Sequence, residues 1–220
     1  MSLASPQQRP AIVYPDSDGE PMAENTVQYR WIVTIKEGID ELFADDPNVF
    51  VAADLFWYPV EGDPNTRVAP DVLVAFGRPK GDRLLYLQWQ EGGTPPQVVF
   101  EILSPSNRGR ELARKFQFYE RFGVEEYYTY DPDTNELAGW RREQGRLVKI
   151  PEMNGWTSPR LTVRFELADG TLRIIRPDGR PFLTYEEQAR RANEAEQRAE
   201  AERQRAERLL ARLRELGAEP

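Results

Sequence analysis

Two carboxylates stand where a folded chain rarely keeps a charge. Glu101 interrupts the apolar run Val98–Leu103, and Asp71 lies within Val-Ala-Pro-Asp-Val-Leu-Val-Ala, residues 68–75. An unpartnered charge in such a strand is strongly unfavourable, so each acid requires a basic partner, a cation or solvent at a cleft edge. Two acids on neighbouring strands can converge on one divalent cation, with the main-chain carbonyl of Ile102 as a third oxygen ligand. Lys115 falls on a helical stripe with Leu112 and Tyr119, which turns an amine towards the sheet. Arg108, Arg110 and Arg114 lie beside it, and residues 108–115 carry a net charge of +3 that suits phosphate contacts. The chemistry open to this set is metal-assisted hydrolysis. The same residues also permit two bland readings: a buried salt-bridge network, and a surface pair of Glu111 with Lys115.

Composition narrows the choice. The chain has 220 residues, 40% of them hydrophobic, enough for one domain of ordinary size. It has no cysteine and no histidine. Thiolate nucleophiles, disulfides, Cys-type metal sites and histidine general bases are therefore excluded, and any metal site must be built from oxygen ligands. The net charge is −8; the C-terminal tail from residue 186 contributes −1 and the body −7. An acidic body argues against a broad nucleic-acid surface and leaves room only for a local basic patch. No stretch approaches the length of a membrane span, and the N-terminus lacks the apolar core of a signal peptide. These features predict a cytoplasmic protein with no membrane partner.

The elements that must position these residues follow from pattern. Residues 1–22 are Pro-rich and polar, and read as an extended arm. Residues 23–183 read as the folded domain. Helical periodicity in Trp31, Ile32, Ile35, Ile39, Leu42 and Phe43 predicts a helix from about residue 23 to 43. Strands are expected at 49–60, 68–77, 97–103 and 125–131, with a hairpin at 137–150 and short strands at 161–167 and 171–175. A Gly- and Pro-containing connection spans 78–96. A helix is expected over 110–122, ended by Gly123. This order predicts an α/β (α+β) fold, a mixed sheet flanked by helices. The aromatic residues Phe116, Phe118 and Tyr119 read as packing, as do Trp57, Tyr58 and Trp140; Trp89 is the one expected to be exposed.

From residue 184 to 220 the character changes to an Ala-, Glu- and Arg-rich run, free of Gly and Pro as far as Leu216 and with Glu202 interrupting its heptad pattern. Ala192, Ala199, Ala206 and Leu213 recur every seven residues, with Ala195, Leu209 and Leu216 at companion positions. This heptad pattern predicts a long helix and a homodimeric coiled coil, against the plainer reading of a solvated single helix held by Glu–Arg pairs.

Pro70-Asp71, then twenty-nine residues, then Glu101-Ile102-Leu103 resembles the signature of the PD-(D/E)xK nuclease superfamily. The segments PMAEN, DLFWYPVEGD, VAPDVLVAFGRPKGDR, VVFEILSPSN, KFQFYERFGVEEYYTYDP and WTSPRL, within residues 21–166, resemble one large bacterial restriction-endonuclease family of that superfamily. The resemblance implies a restriction-endonuclease-like fold and an endonuclease that hydrolyses DNA with Mg²⁺ or Mn²⁺. It implies Asp71 and Glu101 as metal ligands and Glu24 as an additional N-terminal acid, with Glu37 and Glu41 as competitors for that role on the same helix. The sequence departs from the signature at one place. Leu103 occupies the usual lysine position, so Lys115 is expected to supply the amine from the helix.

Two other functions fit the same sequence. One is a non-catalytic protein of nuclease fold that recruits partners through its C-terminal coiled coil, favoured by Leu103 and by the acidic body. The other is a metal-free enzyme using two carboxylates as acid and base, such as a glycosidase.

Overall fold

In the computed structural model, which describes residues 12–17, 19, 21–104 and 109–215, the first helix begins at an asparagine cap. Asn25 Oδ1 accepts from the backbone N–H of Val27 (3.0 Å) and Gln28 (2.8 Å), satisfying two of the donors a helix start leaves open. Helix α1 runs Thr26–Leu42 and fully buries Ile32, Ile35 and Ile39, whose spacing puts them on one stripe.

Strand β1 is Val49–Ala53 and β2 is Trp57–Tyr58. The single strand expected across 49–60 is thus split. Asp54 turns the chain with a positive φ of 50°, and its N–H donates to Pro70 O (3.1 Å) and Asp71 O (3.3 Å), which peels β2 away. Then come β3 (Val72–Phe76), β4 (Tyr86–Leu87), β5 (Val98–Ile102), helix α2 (Arg110–Phe122), β6 (Glu126–Asp131), and the hairpin of β7 (Glu136–Glu143) and β8 (Arg146–Lys149). β9 (Arg164–Ala168) and β10 (Thr171–Ile175) follow.

Six strands form one mixed sheet in the order β1-β3-β5-β6-β7-β8; β5 and β6 are parallel and joined by α2, and the other neighbours are antiparallel. Small pairs β2-β4 and β9-β10 stand apart. The expected mixed sheet with flanking helices is what the chain forms.

The pleat sorts the side chains onto two faces. On β3 and β5, Val72, Val74, Val98, Phe100 and Ile102 join the core under α1. Leu73, Ala75 and Val99 turn to the opposite face, where they pack with Tyr119 of α2, Trp57 and Tyr86. Glu101 shares the parity of Val99, so strand geometry alone aims it at α2. Trp89, expected to be exposed, is half-buried with its ring 5.2 Å from that of Tyr14.

The chain divides into two compact units, Met1–Phe182 and Leu183–Pro220. In the second, helix α3 (Tyr185–Glu215) opens with a reciprocal cap. Thr184 N–H donates to Glu187 Oε2 (2.9 Å), and Glu187 N–H donates to Thr184 Oγ1 (3.3 Å). Leu209, Leu210 and Leu213 are exposed on it, and Leu216 lies outside the described residues. Among the described residues no helix is long and apolar enough to cross a membrane.

Candidate active site

β3 and β5 are antiparallel, with Leu73 opposite Val99 and Val72 opposite Phe100. Asp71 immediately precedes β3 at the end where Glu101 lies on β5, and the two carboxylates are near enough for the Glu101 charge to act on Asp71. The strand ends therefore bring together two acids separated by twenty-nine residues of sequence. Asp71 Oδ2 accepts the N–H of Ile102 at 2.6 Å, which ties the end of β3 to that of β5. Glu101 is 1% exposed and Asp71 8%.

Helix α2 supplies the counterparts. Lys115 Nζ donates to Glu101 Oε2 (2.7 Å) and to Ala69 O (3.2 Å). One turn on, Tyr119 O–H donates to Glu101 Oε1 at 2.5 Å. The ring of Tyr119 packs as expected from its stripe, but its hydroxyl also serves the site. α2 is held in place from its far end. Arg142 of β7 donates to the carbonyls of Tyr119 (3.2 Å), Glu120 (2.7 Å) and Val124 (2.7 Å), a cation on the negative pole of the helix. Leu103 continues β5, its N–H donating to Tyr130 O at 2.8 Å, so the amine near Glu101 comes from α2 and not from that position.

A third acid enters through α1. Gln28 is buried; its Nε2 donates to Ile102 O (2.9 Å) while its Oε1 accepts the N–H of Glu24 (2.9 Å). This amide clips the segment before α1 to the end of β5, and the Glu24 carboxylate accepts from Ser104 Oγ. Glu37 pairs with Lys36 (3.0 Å) and Glu41 with Arg176 (2.6 Å), and neither lines the cleft described next; only Glu24 of the three does.

Asp71, Glu24 and Lys115 line a cleft of about 740 Å³, together with Asp54, Arg67, Glu111 and Arg114. Arg110 is exposed at the start of α2 and does not line it; Arg108 lies outside the described residues. Gln28, Asp54, Arg67 and Tyr119 are contributors that spacing alone does not announce. Asp54 carried a signal in hindsight, an acid between two apolar runs.

The site is short of positive charge. Burial, and then the neighbouring Glu101 charge, push Asp71 well above the usual carboxylate range, against the pull of Lys115 and the Ile102 N–H. Burial also lifts Glu101, despite Lys115 and Tyr119. For Lys115, burial acts downward, but the charges of Glu101 and Asp71 outweigh it and hold the ammonium above its ordinary value. One ammonium thus faces two carboxylates. The residues present fit a hard divalent cation, which oxygen donors and an uncompensated negative charge favour. Among the described residues no three acidic side chains gather closely enough to hold a metal ion by themselves. A cation on Asp71 and Glu101 would complete its shell with main-chain oxygen and water, as Mg²⁺ commonly does. The Ile102 carbonyl accepts from Gln28 Nε2 at the end of β5.

The mixed sheet, with acids at its strand ends and a helix-borne lysine beside them, places the protein in the restriction-endonuclease-like α+β class. Residues 18–168 match the Uma2 family, described as "Putative restriction endonuclease", and the chain belongs to that family. Its fold is similar to a crystal structure described as "a putative nuclease belonging to DUF820" from Anabaena variabilis ATCC 29413. The TM-score is 0.51 at 16% identity, covering 70% of this chain and 87% of that one. No curated protein matches the sequence.

Proposed function

We propose that the protein is an endonuclease that hydrolyses DNA phosphodiester bonds with Mg²⁺ or Mn²⁺, and that Asp71 and Glu101 hold the ion. The observation that carries this reading is the pair itself: two buried acids at the ends of the paired strands β3 and β5, raised in pKa and sharing a single lysine, with Asp71 and that lysine lining a cleft.

The bound ion would supply Lewis-acid polarisation of the phosphate and a water of lowered pKa. The chain's own residues do the rest. Glu101 is locked by Tyr119 and Lys115, one donor to each oxygen, so its carboxylate cannot rotate away. An ammonium has three donors. Lys115 gives one to Glu101 and one to Ala69 O, and the third is available to a phosphate oxygen or water in the cleft it lines. Burial raises the Tyr119 hydroxyl well above its usual pKa, and Glu101 raises it further, so it stays an O–H donor. Arg67 and Arg114 at the cleft wall attract the DNA backbone. Glu24, anchored by Ser104 and Gln28, is the acid placed to orient water on the α1 side.

The test is cleavage of supercoiled, linear and single-stranded DNA by purified full-length protein with Mg²⁺ or Mn²⁺. Activity that is lost in Asp71→Asn, with a melting temperature no lower than that of the parent protein, is expected. Intact DNA under every one of these conditions overturns the proposal and leaves the partner-recruiting reading of the fold.

A further inference from the structure

Many arginines of the folded unit of this acidic chain are committed to protein groups. Arg83, Arg141, Arg160, Arg164, Arg173, Arg176 and Arg180 form ion pairs, and Arg142 caps α2. One set is not. Arg110, Arg114 and Arg121 are exposed and, among the described residues, make no ion pair. They recur on α2 at i, i+4 and i+11, with Gln117 at i+7 between them, so all four fall within about 60° of one another around the helix. The stripe is roughly 16 Å long at the rise of an α-helix.

Beside it lies a second groove of about 310 Å³, lined by Arg114, Gln117, Phe118, Arg121, Phe122 and, across from them, Arg67. Arg67 and Arg114 also line the acidic cleft, so the two depressions adjoin across a shared wall. The floor is aromatic. Phe118 and Phe122 are half-buried, with ring centroids 4.6 Å apart, and Trp57 packs edge-on against both at 5.2 and 6.3 Å. Two rings on such a support keep fixed orientations. Asp63 is near enough to feel the Arg121 charge. Hydrogen bonds from Thr66 and Asn65 hold its carboxyl below the usual range, and the Arg121 charge adds a little to this.

Arginines that track a backbone and aromatic faces that accept any base are the requirements for single-stranded polynucleotide. A rigid duplex keeps its base faces stacked inside, out of reach of the aromatic floor, and presents two phosphate strands to a chain of net charge −8. We infer that the groove of Arg114, Gln117, Phe118 and Arg121 carries a single-stranded segment of the substrate away from the acidic cleft. This rests on the nuclease reading of that cleft and adds the strand state of what it receives.

The test measures binding of labelled single-stranded DNA, RNA of the same sequence, and duplex DNA, each of about 15 nucleotides. Full-length protein is used in EDTA, so that nothing is cut. Single strands are expected to bind at least tenfold more tightly than duplex. Arg121→Glu should weaken single-strand binding about tenfold and flatten its salt dependence. Phe118→Leu should weaken it severalfold, and melting temperatures should show that both variants fold. The tighter of DNA and RNA identifies the strand. Duplex binding equal to single-strand binding, or single-strand binding indifferent to Arg121→Glu, overturns the inference. Its failure is separable from that of the nuclease reading. Cleavage of duplex DNA that ignores Arg121→Glu sinks the groove alone. Arg121-dependent strand binding without any cleavage sinks the hydrolysis alone.

Discussion

Two buried glutamates sit on adjacent parallel strands and do opposite things. Glu101 on β5 is 1% exposed and interrupts an apolar run, and Glu126, 2% exposed, opens the aromatic strand β6. Glu126 is held by neutral donors: Tyr128 O–H (2.8 Å), Ser158 O–H and the Arg160 N–H (2.8 Å). Those bonds fasten the turn before β9 to the sheet, and every donor has its acceptor. Glu101 has a cation, a phenol and a second acid across the strand pair. Burial of an acid does not mark a site, since both have it. What separates them is a like charge close by, that of Asp71 at the cleft wall, with too little positive charge to balance the pair.

The comparison breaks first on activity. Glu101→Gln removes one of two charges that the proposed chemistry requires, and cleavage should fall at least about 10³-fold, as when a charge-stabilising group is removed from a preorganised site. Glu126→Gln should leave cleavage within about twofold, because its partners act on a turn. A plasmid-nicking assay on both variants decides it, and equal losses would erase the distinction.

Stability comes next. Lys115→Met leaves Glu101 with Tyr119 alone and an unbalanced buried charge. Losing one partner of a buried pair destabilises by about 3–5 kcal/mol, and the opening of the cleft to water sets the expectation near 3. Glu126→Ala orphans two hydroxyls and one amide, at about 2 kcal/mol. Denaturant midpoints measure both. Asp71→Asn should go the other way and raise the melting temperature of metal-free protein, because the burial and like charge that lift its pKa penalise the ionised form.

The elements around Glu101 were largely legible. The aromatic stripe and Gly123 place α2 at Arg110–Phe122, and the parity of Val99 and Glu101 follows from the pleat. The site acids and Lys115 stand out because each violates its apolar surroundings. Other contributors depend on contacts remote in sequence. Gln28 meets Ile102, 74 residues away, and no local pattern predicts the reach of an amide on a helix. Tyr119 looks like packing, since its ring lies on the apolar face; only the register of α2 over β5 shows its hydroxyl meeting a carboxylate. The break at Asp54 was hidden because apolar residues continue on both sides, and its turn is fixed by acceptors at Pro70 and Asp71. Glu126 was invisible as a structural acid for the same reason that Glu101 was visible as a site: the sequence displays the charge but not its partners.

The smallest effect sharpens the contrast most. Asp71 and Glu101 have folded-state pKa values raised above those of the unfolded chain. Their contribution to stability is therefore fully present below the ordinary carboxylate pKa and is lost as pH rises through the raised folded values. A cation bound by the ionised forms competes with these protons, so affinity should rise with pH through that window. Titrating Mn²⁺ by calorimetry at pH 5.5 and 7.5 should give tighter binding at the higher pH by severalfold, with net proton release at the lower. A matching increase in melting temperature should appear at saturating ion. Asp71→Asn should abolish both, and Glu126→Gln should change neither. Binding that is independent of pH, or that survives Asp71→Asn, would mean the ion sits elsewhere and that the paired acids are a structural network like the one around Glu126.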